Sequence, residues 1–390
     1  MTDTAPLSDP SDVPAFDGLG LDPRIVANVA RAGYATPSPI QALAIPPIRD
    51  GRDVEALART GTGKTAAFAL PVIHRLLTGA GDAAPSGPPG HVRALILSPT
   101  RELASQTAGT VRTCIRGCGL TVALAIGGAP KDRQARALLD GVDILVATPG
   151  RLLDHLADAT ITLDHTTCLV LDEADRMLDL GFVEDVRAIA ARLPVRHQTL
   201  LFSATMSPAI SALGRQLLHK PLQIAPPEQA APPPRIRQQV IFTPAARKAA
   251  SLLAVLRREA GGRTMVFTRT KQAADALART LNTGGVTAAA LHGDHGQVRR
   301  DRTLDDFRRG RLLVLVATDV MARGIDVEDV ALVVNFDIPE QPETYIHRIG
   351  RTARAGRRGT ALSLCDPAER LKLRDIERQS GARITVIDPT

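Results

Sequence analysis

The sequence predicts an α/β protein made of two consecutive domains, each a mainly parallel sheet with helices on both faces. Three observations predict this fold class. The chain has 390 residues, which exceeds the roughly 250 to 300 residues at which a single hydrophobic core stops growing. Short apolar runs alternate with segments of helical periodicity, a pattern typical of parallel strands connected by helices. A proline-rich stretch at 225–234 divides this alternation into two halves.

The first half begins with a strand, a glycine-rich turn and a helix. Alternating Val54, Ala56 and Ala58 predict the strand, and the run at 66–77 predicts the helix. Ligands of parallel sheets bind beyond the carboxyl ends of the strands, so polar groups that follow the apolar runs are candidate site residues. Further strands of this half are predicted at 94–97, 121–126, 143–146, 168–171 and 199–202.

The second half repeats the alternation. Because Thr390 closely follows a predicted last helix at 368–379, no basic or low-complexity tail is expected, although a shortened chain would look the same. Strands are predicted at 239–242, 264–267, 312–316, 332–334 and 361–364. We predict a disordered tail at 1–14, a first domain at 15–222, a proline-rich linker at 223–237 and a second domain at 238–390.

The net charge of +7 is unevenly distributed. Residues 1–222 carry 21 basic and 22 acidic side chains, whereas residues 223–390 carry 27 and 19. The basic second half favours a polyanionic partner. Aromatic residues make up 3% of the chain, without tryptophan, which argues against recognition by stacking on bases. A bound nucleic acid would therefore be held by its backbone.

Composition also excludes some classes of protein. No run approaches the ~18 consecutive apolar residues of a membrane-spanning helix, and the acidic start of the chain is unlike a signal peptide. We expect a cytoplasmic protein without a membrane partner. Of the four cysteines only Cys114 and Cys118 lie close in sequence, so buried free thiols are favoured over a zinc site.

The glycine-rich turn has the features of a phosphate-binding loop. Backbone N–H groups and the start of a helix converge on an anion in such loops. Gly61 and Gly63 allow close approach, Lys64 would reach the β- and γ-phosphates, and Thr65 could bind Mg²⁺. The general motif begins with glycine, where this chain has Ala58. Taken alone, the stretch could equally be a flexible turn between a strand and a helix.

A pair of carboxylates ends the buried run at 168–171. Asp172 and Glu173 could hold Mg²⁺ and orient a water beside a nucleotide phosphate. Together with the glycine-rich turn, this pair makes a nucleotide site the favoured interpretation.

The ordered motifs of the chain resemble those of DEAD-box ATP-dependent RNA helicases over residues 16–387. They are GYATPSPIQ (33–41), ARTGTGKT (58–65), PTRELA (99–104), GG (127–128), TPGR (148–151), DEAD (172–175), SAT (203–205), VFTR (266–269), Gln297 with Arg300, ATDVMARGID (317–326) and HRIGRTAR (347–354). The resemblance implies two tandem RecA-like domains, with ATP and Mg²⁺ as cofactors and RNA as partner. Segments 16–23 and 371–377 further resemble the bacterial RhlE-like branch.

The resemblance also implies roles in the nucleotide site. Tyr34 would stack on adenine and Gln41 would pair with its edge, although by themselves they could be a core aromatic and a surface amide. Asp172 would hold Mg²⁺ with Thr65, and Glu173 would orient the attacking water. The catalytic set implied is Lys64, Asp172, Glu173, Arg351 and Arg354, and the nucleotide-binding set is Tyr34, Gln41, Thr60, Gly61, Thr62, Gly63, Lys64, Thr65 and Asp326.

Arg351 and Arg354 match the arginine fingers of the family, which would complete the site when the two domains close. Without the resemblance they would be part of a solvated basic patch. Asp175, Ser203, Thr205 and His347 would couple the domains, although Ser203 and Thr205 could equally mark an ordinary strand end and His347 a core histidine. The RNA contacts implied are Arg101, Gly128, Thr148, Gly150, Arg151, Arg269, Gln297, Arg300 and Thr318, most of them suited to phosphates or 2′-hydroxyls.

Two residues depart from the family pattern. Arg59 stands where relatives commonly have glutamine, and Ala353 stands where many have glycine. If the backbone at 353 needs a positive φ, alanine would strain it and shift the nearby arginines.

We therefore expect an RNA-stimulated ATPase that separates short RNA duplexes locally and acts as a monomer, with ribosomal or RNA-decay proteins as possible partners. Two alternatives remain open at this point. One is an ATP-gated RNA clamp or scaffold with little unwinding, and the other is a DNA helicase.

Overall fold

The computed structural model describes residues 15–58, 61–79, 90–225, 236–258, 262–319, 330–353, 358–380 and 383–388. The chain divides into two compact units, Met1–Gln229 and Ala230–Thr390. The predicted tail at 1–14 and residues 226–235 of the predicted linker lie outside the described residues. Each unit has its own sheet and its own core.

The first unit contains a seven-stranded sheet. Its strands are β1 (Val54–Leu57), β2 (Val92–Leu97), β3 (Val122–Ala125), β4 (Val142–Ala147), β5 (Cys168–Asp172), β6 (Gln198–Ser203) and β7 (Leu222–Ile224). They lie in the order β3-β4-β2-β5-β6-β1-β7, and every pairing is parallel. The helices are α1 (Pro23–Arg31), α2 (Pro39–Arg49), α3 (Lys64–Thr78), α4 (Arg101–Cys114), α5 (Lys131–Leu138), α6 (Pro149–Ala157), α7 (Ala174–Asp179), α8 (Val183–Ala190) and α9 (Pro208–Leu217), preceded by a 3₁₀ turn at Phe16–Leu19.

The second unit repeats this architecture. Its strands are β8 (Ile236–Phe242), β9 (Arg263–Thr268), β10 (Ala288–Leu291), β11 (Val314–Thr318), β12 (Val330–Asn335), β13 (Gly359–Cys365) and β14 (Thr385–Val386). The order is β10-β11-β9-β12-β13-β8-β14, again with parallel pairs. The helices described are α10 (Lys248–Arg258), α11 (Lys271–Thr283), α12 (Gln297–Arg308), α13 (Pro342–Ile349) and α14 (Arg370–Ser380), with 3₁₀ turns at Ala245–Arg247 and Pro367–Glu369.

Alternate residues of the central strands enter different cores, which places helices on both faces of each sheet. In β5, Val170 packs in one core, whereas Leu169 and Leu171 pack in another. The first core includes Phe68 of α3 and the second includes Ile189 of α8. Each face buries apolar side chains, so the strands read as continuous apolar runs. The predicted α/β fold class is confirmed for both units.

Three strands, β7, β10 and β14, were not among those predicted. One predicted strand, 312–316, is displaced and corresponds to β11 at Val314–Thr318. Leu312 lies in the segment before the strand but is also buried in the core. The apolar run therefore begins two residues before the strand does. Residues 223–224 of the predicted linker lie in β7, and residues 236–237 lie in β8. A linker between these two strands stays a prediction.

Candidate functional site: the carboxyl edges of the two sheets

Three neighbouring strands of the first sheet end at the same edge and carry the predicted nucleotide residues. β1 lies beside β6 with Leu57 opposite Ser203, and β6 lies beside β5 with Phe202 opposite Asp172. The N–H of Ala58 donates to the carbonyl of Ser203 at 2.9 Å, extending this pairing beyond β1. The glycine loop, the carboxylate pair and the SAT segment therefore meet at one edge of the sheet, as the sequence predicted.

The glycine loop ends in a buried ammonium group. Gly61 and Gly63 have φ of 82° and 88°, values that favour glycine. A Cβ on Gly61 would meet no atom within 4 Å, so there is space in front of the loop. Lys64 is the first residue of α3 and is buried, and its Nζ has no hydrogen-bond partner among the described residues. Because a buried ammonium without a partner is costly, this arrangement suits an external anion.

Other predicted loop residues flank Lys64. Thr62 and Thr65 are half-buried, and Thr65 is the second residue of α3. Thr60 lies outside the described residues, as does Arg59.

The two adjacent carboxylates are held differently. Asp172 is the last residue of β5 and is buried, and burial raises the pKa of its carboxyl to about 7 against the opposing charge of Lys64. Glu173 follows with φ 53° and ψ 56°, a left-handed conformation that costs a non-glycine residue about 1–2 kcal/mol. Its Oε2 lies 3.4 Å from Nη1 of Arg176. The strained turn fixes where the Glu173 carboxylate leaves the strand, which is typical of functional positions.

Asp175 binds the SAT segment through hydrogen bonds to one carboxylate oxygen. Oδ2 accepts from the backbone N–H groups of Ala204 and Thr205 at 3.1 and 3.0 Å, and from Thr205 Oγ1 at 3.2 Å. Ser203 Oγ accepts from the Asp175 N–H at 3.3 Å and donates to the Thr205 carbonyl at 2.7 Å. Three of the four predicted coupling residues are thus brought together. The fourth, His347, is half-buried in the second unit.

Gln41 links the segment before α2 to the glycine loop. Its Oε1 accepts from the Ser38 N–H at 2.8 Å, and its Nε2 donates to the Gly63 carbonyl at 3.1 Å. A Cβ on Gly63 would fall 2.4 Å from that nitrogen, so this contact also requires glycine. A side-chain amide has two donors and two acceptor sites, so one of each is left over for a nucleobase. Sequence reasoning missed this link, although Ser38 and Gln41 have the spacing of a capping box.

Tyr34 lies near the chain that leads into α2. Its side chain is partly exposed and packs edge-on against Phe16, with ring centroids 6.5 Å apart. The edge-on contact therefore leaves one face of the Tyr34 ring uncovered by Phe16.

The predicted RNA contacts of the first unit lie beyond β2, β3 and β4, which are adjacent in the sheet. Gly128 has φ of 72°, and a Cβ there would fall 1.7 Å from Nη1 of Arg101. Burial and the nearby charge of Arg151 lower the pKa of Arg101. Thr148 precedes α6, and a Cβ on Gly150 in that helix would meet nothing within 4 Å. These five residues thus follow three adjacent strands, of which β2 lies next to β5 and its carboxylate pair.

The predicted RNA contacts of the second unit lie at the equivalent strand ends. Thr318 ends β11, and Arg300 is buried on α12. Arg269 follows β9, and its Nη2 donates to Glu369 Oε1 at 3.0 Å. Gln297 begins α12, but its side chain lies outside what the structure describes.

The predicted finger segment follows α13. Arg351 is buried, with Nε donating to the His347 carbonyl at 3.2 Å. Ala353 has φ of 56°, so the position does need the conformation that favours glycine. Arg354 and Asp326 lie outside the described residues.

A buried arginine that the sequence reasoning did not single out organises the second edge. Arg348 contacts both carboxylate oxygens of Asp319 at 2.6 and 2.8 Å, Asn335 Oδ1 at 3.0 Å and the Asp337 carbonyl at 2.7 Å. Its guanidinium also lies 5.0 Å from the ring centroid of Phe267. Its place in the HRIGRTAR motif was the available signal.

Comparisons with known proteins agree with this arrangement. Residues 38–213 match the family described as DEAD/DEAH box helicase, and residues 247–356 match the helicase conserved C-terminal domain. The chain is 42% identical to ATP-dependent RNA helicase DeaD of Buchnera aphidicola over 96% of its own length, which is 60% of that relative. It is 41% identical to ATP-dependent RNA helicase CshA of Listeria monocytogenes over 95% of its length, which is 69% of that relative. Among solved structures, Saccharomyces cerevisiae Dbp5 bound to RNA and ADP BeF3 matches with a TM-score of 0.85 and 32% identity, covering 96% of both chains.

Proposed function

This chain belongs to the DEAD-box RNA helicase family, and we propose that it hydrolyses ATP in response to RNA and uses the cycle to separate short RNA duplexes locally. The observation that carries the proposal is the buried Nζ of Lys64, which has no hydrogen-bond partner among the described residues and lies behind a loop of two left-handed glycines. A phosphate chain is the anion that such a loop accepts. The two relatives compared bear the name ATP-dependent RNA helicase, which supports ATP as the nucleotide.

The residues present fit a nucleoside triphosphate with Mg²⁺. Asp172 and Thr65 offer the hard oxygen ligands that Mg²⁺ prefers, and Lys64 supplies a positive charge for the phosphates. When bound, Mg²⁺ neutralises charge that develops on the phosphates. Glu173, fixed by its left-handed turn, orients the attacking water. Gln41 holds the loop at Gly63 and reads the base with its remaining donor and acceptor.

The experiment is a comparison of binding and turnover in the variant Glu173→Gln. We expect it to bind ATP as the unmodified chain does but to lose hydrolysis at saturating RNA, because the carboxylate that orients the water is gone. Glu184→Gln, at a carboxylate whose side chain is 80% exposed, is the matched control and should turn over normally. Normal turnover by Glu173→Gln would refute the proposed roles.

The proposed RNA grip is independent of base sequence. Arg101, Arg151, Arg269 and Arg300 suit phosphates, and Thr148 and Thr318 suit 2′-hydroxyls. Equal affinities for unrelated RNA sequences of one length are expected in a filter-binding assay.

The proposal includes a chain that acts as a monomer in the cytoplasm, with ribosomal or RNA-decay proteins as partners. The described helices include none that is both long and apolar enough to cross a membrane.

We also propose that the chain belongs to the RhlE-like branch, on the basis of segments 16–23 and 371–377. The relatives compared here carry the names DeaD and CshA. An alignment in which RhlE-type sequences match these segments no better than CshA-type sequences would contradict the branch assignment.

Closure of the two units is the proposed link between ATP and RNA. The finger residues Arg351 and Arg354 belong to the second unit, whereas Lys64 belongs to the first. If both ligands favour one closed state, ATP tightens RNA binding by the same factor by which RNA tightens ATP binding. Dyes on the two units should report a shorter separation only when RNA and a non-hydrolysable ATP analogue are both present. A separation that never changes would exclude this step.

The RNA clamp and the DNA helicase are less favoured, since the relatives are named as RNA helicases. The clamp is distinguished by comparing strand release during ATP turnover with the dwell time of RNA in the non-hydrolysable analogue. An unwinding enzyme releases one strand of a short RNA duplex during turnover, whereas a clamp retains RNA without releasing a strand.

A further inference from the structure

The second unit contains a compact group of two histidines and one aspartate that the proposed ATP and RNA roles do not use. Asp275 lies on the first turns of α11, and His292 directly follows β10. His295 is three residues further along the same turn, and its N–H donates to the His292 carbonyl at 3.2 Å. The fold thus brings together residues that are 17 and 20 positions apart in sequence.

The side chains of this group converge on one point. His292 Nε2 lies 3.0 Å from Asp275 Oδ2, and His295 Nε2 lies 3.7 Å from Oδ1 of the same carboxylate. The two rings have centroids 3.9 Å apart. One ligand atom from each of the three residues lies within 4.8 Å of the others. Ligands of a tetrahedral zinc ion at 2.0–2.1 Å are about 3.3 Å apart, so small side-chain adjustments would bring these atoms to metal-binding distances.

The histidines lack the hydrogen bonds that buried imidazoles normally make. His292 and His295 are 3% and 9% exposed. Both ring nitrogens of His292 and the Nδ1 of His295 have no hydrogen-bond partner among the described residues, and the nearest acceptor of His292 is the Asp275 carboxylate with which it forms an ion pair. Buried polar groups without partners are uncommon and call for an explanation. A metal ion that binds a nitrogen lone pair would explain why these nitrogens have no hydrogen-bond partner.

The residues around the group leave its carboxylate open to an external ligand. Asp294 is engaged elsewhere, since it pairs with Lys271 at 2.5 Å. The Asp275 side chain is 37% exposed, so solvent reaches this residue of the group.

We propose that Asp275, His292 and His295 form a binding site for a divalent transition metal, with Zn²⁺ as its preferred ion. Two imidazoles and one carboxylate with an open position form a ligand set that zinc accepts. The hard ions Mg²⁺ and Ca²⁺ prefer all-oxygen sites. The site is therefore chemically distinct from the Mg²⁺ position proposed at Asp172.

The test is zinc binding by the full chain after removal of metals, measured by competition with a chromogenic chelator. We expect one tight site per chain in the unmodified protein. A group that only hydrogen-bonds a metal ligand is worth about 10- to 100-fold in affinity, so His295→Asn and Asp275→Asn, which remove a ligand, should weaken binding by more than about 100-fold. Asp294→Asn is the matched control, one residue from His295, and should bind zinc unchanged. His165→Asn in the first unit controls for exposed histidines.

A second measurement keeps the proposal testable if a variant fails to fold. Crystals of the unmodified chain grown with Zn²⁺ should show an anomalous peak at the zinc edge between the three side chains. Bound Co²⁺ should give the visible spectrum of nitrogen and oxygen ligands, without the thiolate band that the buried cysteines would produce. The proposal is overturned if no zinc binds tightly, if His295→Asn binds as well as the unmodified chain, or if the peak lies elsewhere. In those cases the group is a cluster of a carboxylate and two imidazoles without affinity for metal.

Discussion

The carboxyl edges of the two sheets have the same strand order, but the buried lysine at each edge has different hydrogen-bond partners. Strands β1 and β8 occupy the same place in their sheets, and the helices that follow begin at Lys64 and Lys248. Both lysines are buried. Lys64 Nζ has no hydrogen-bond partner among the described residues, whereas Lys248 Nζ donates to Glu369 at 2.6 Å and to the Phe336 carbonyl at 2.7 Å.

The strands two positions away in each sheet, β5 and β12, show the same contrast. The first sheet presents the Asp172 carboxylate at the end of β5. The second sheet presents Asn335 at the end of β12, with Oδ1 accepting from Arg348. Lys248 and Asn335 at the second edge are thus paired with neighbouring groups, whereas Lys64 at the first edge has no hydrogen-bond partner among the described residues. The shared strand order puts a binding site at the same edge of each sheet, and the side chains at that edge determine whether a ligand binds there.

The largest expected effect is on Lys64. Lys64→Ala should reduce RNA-stimulated ATP turnover by about a thousandfold, because charge stabilisation of the reacting phosphates is lost. The free energy of unfolding should change little, since Nζ has no hydrogen-bond partner to lose among the residues that the structure describes. Steady-state kinetics and chemical denaturation measure the two quantities, with the partly exposed Lys131 changed to alanine as control. A stable variant with full turnover would break the comparison.

The opposite outcome is expected for the paired lysine. Lys248→Ala should lower the free energy of unfolding of the second unit by about 3 kcal/mol, because it leaves the buried Glu369 carboxylate without its closest positive partner. ATP affinity should stay unchanged. Lys271→Ala removes an exposed ion pair and should cost much less stability. Loss of ATP affinity in Lys248→Ala would mean that the second edge also takes part in nucleotide binding.

A smaller effect concerns the side chain that holds the glycine loop. Gln41→Ala should weaken discrimination between ATP and GTP by about 1–3 kcal/mol, because the group proposed to read adenine is removed. The ratio of kcat/KM for the two nucleotides measures this. Gln216→Ala, on the far helix α9, should leave the ratio unchanged. Equal use of ATP and GTP by the unmodified chain would refute the assignment to Gln41.

The smallest effect is on backbone strain near the finger segment. Ala353 has a φ of 56°, so Ala353→Gly should raise the free energy of unfolding of the second unit by up to about 1 kcal/mol. The matched change Ala276→Gly, in the middle of α11, should lower it by about 1 kcal/mol instead. Thermal unfolding of both variants distinguishes the two. Destabilisation by both would show that the conformation at 353 is not strained.

The sequence predicted most of the strands but not those that are short or rich in alanine. β10 reads Ala-Ala-Ala-Leu, and alanine is depleted in strands. β7 and β14 have three and two residues and lie at sheet edges. They are too short for an alternating pattern to be recognised. Their pairing with the neighbouring strand, rather than local preference, defines them.

The positions of the candidate site residues at the strand ends were predictable where a motif is contiguous, whereas contacts between distant residues were not. The motif with Lys64 is a continuous stretch, whereas the partner of Lys248, Glu369, is 121 residues away. The strain at Glu173 was also not predicted, because no residue type in the motif signals a positive φ. The same holds for Asp275 and His292, which only the packing of α11 against the sheet brings together.

The contact between Gly128 and Arg101 has a consequence for mutational tolerance. Any side chain at 128 would occupy the space of the Arg101 guanidinium, so each substitution there would displace that arginine in addition to straining a backbone with φ of 72°. In a deep mutational scan, position 128 should therefore show the same pattern of lost variants as position 101. Selection on the uncharged Gly128 would then follow the selection on the charged Arg101.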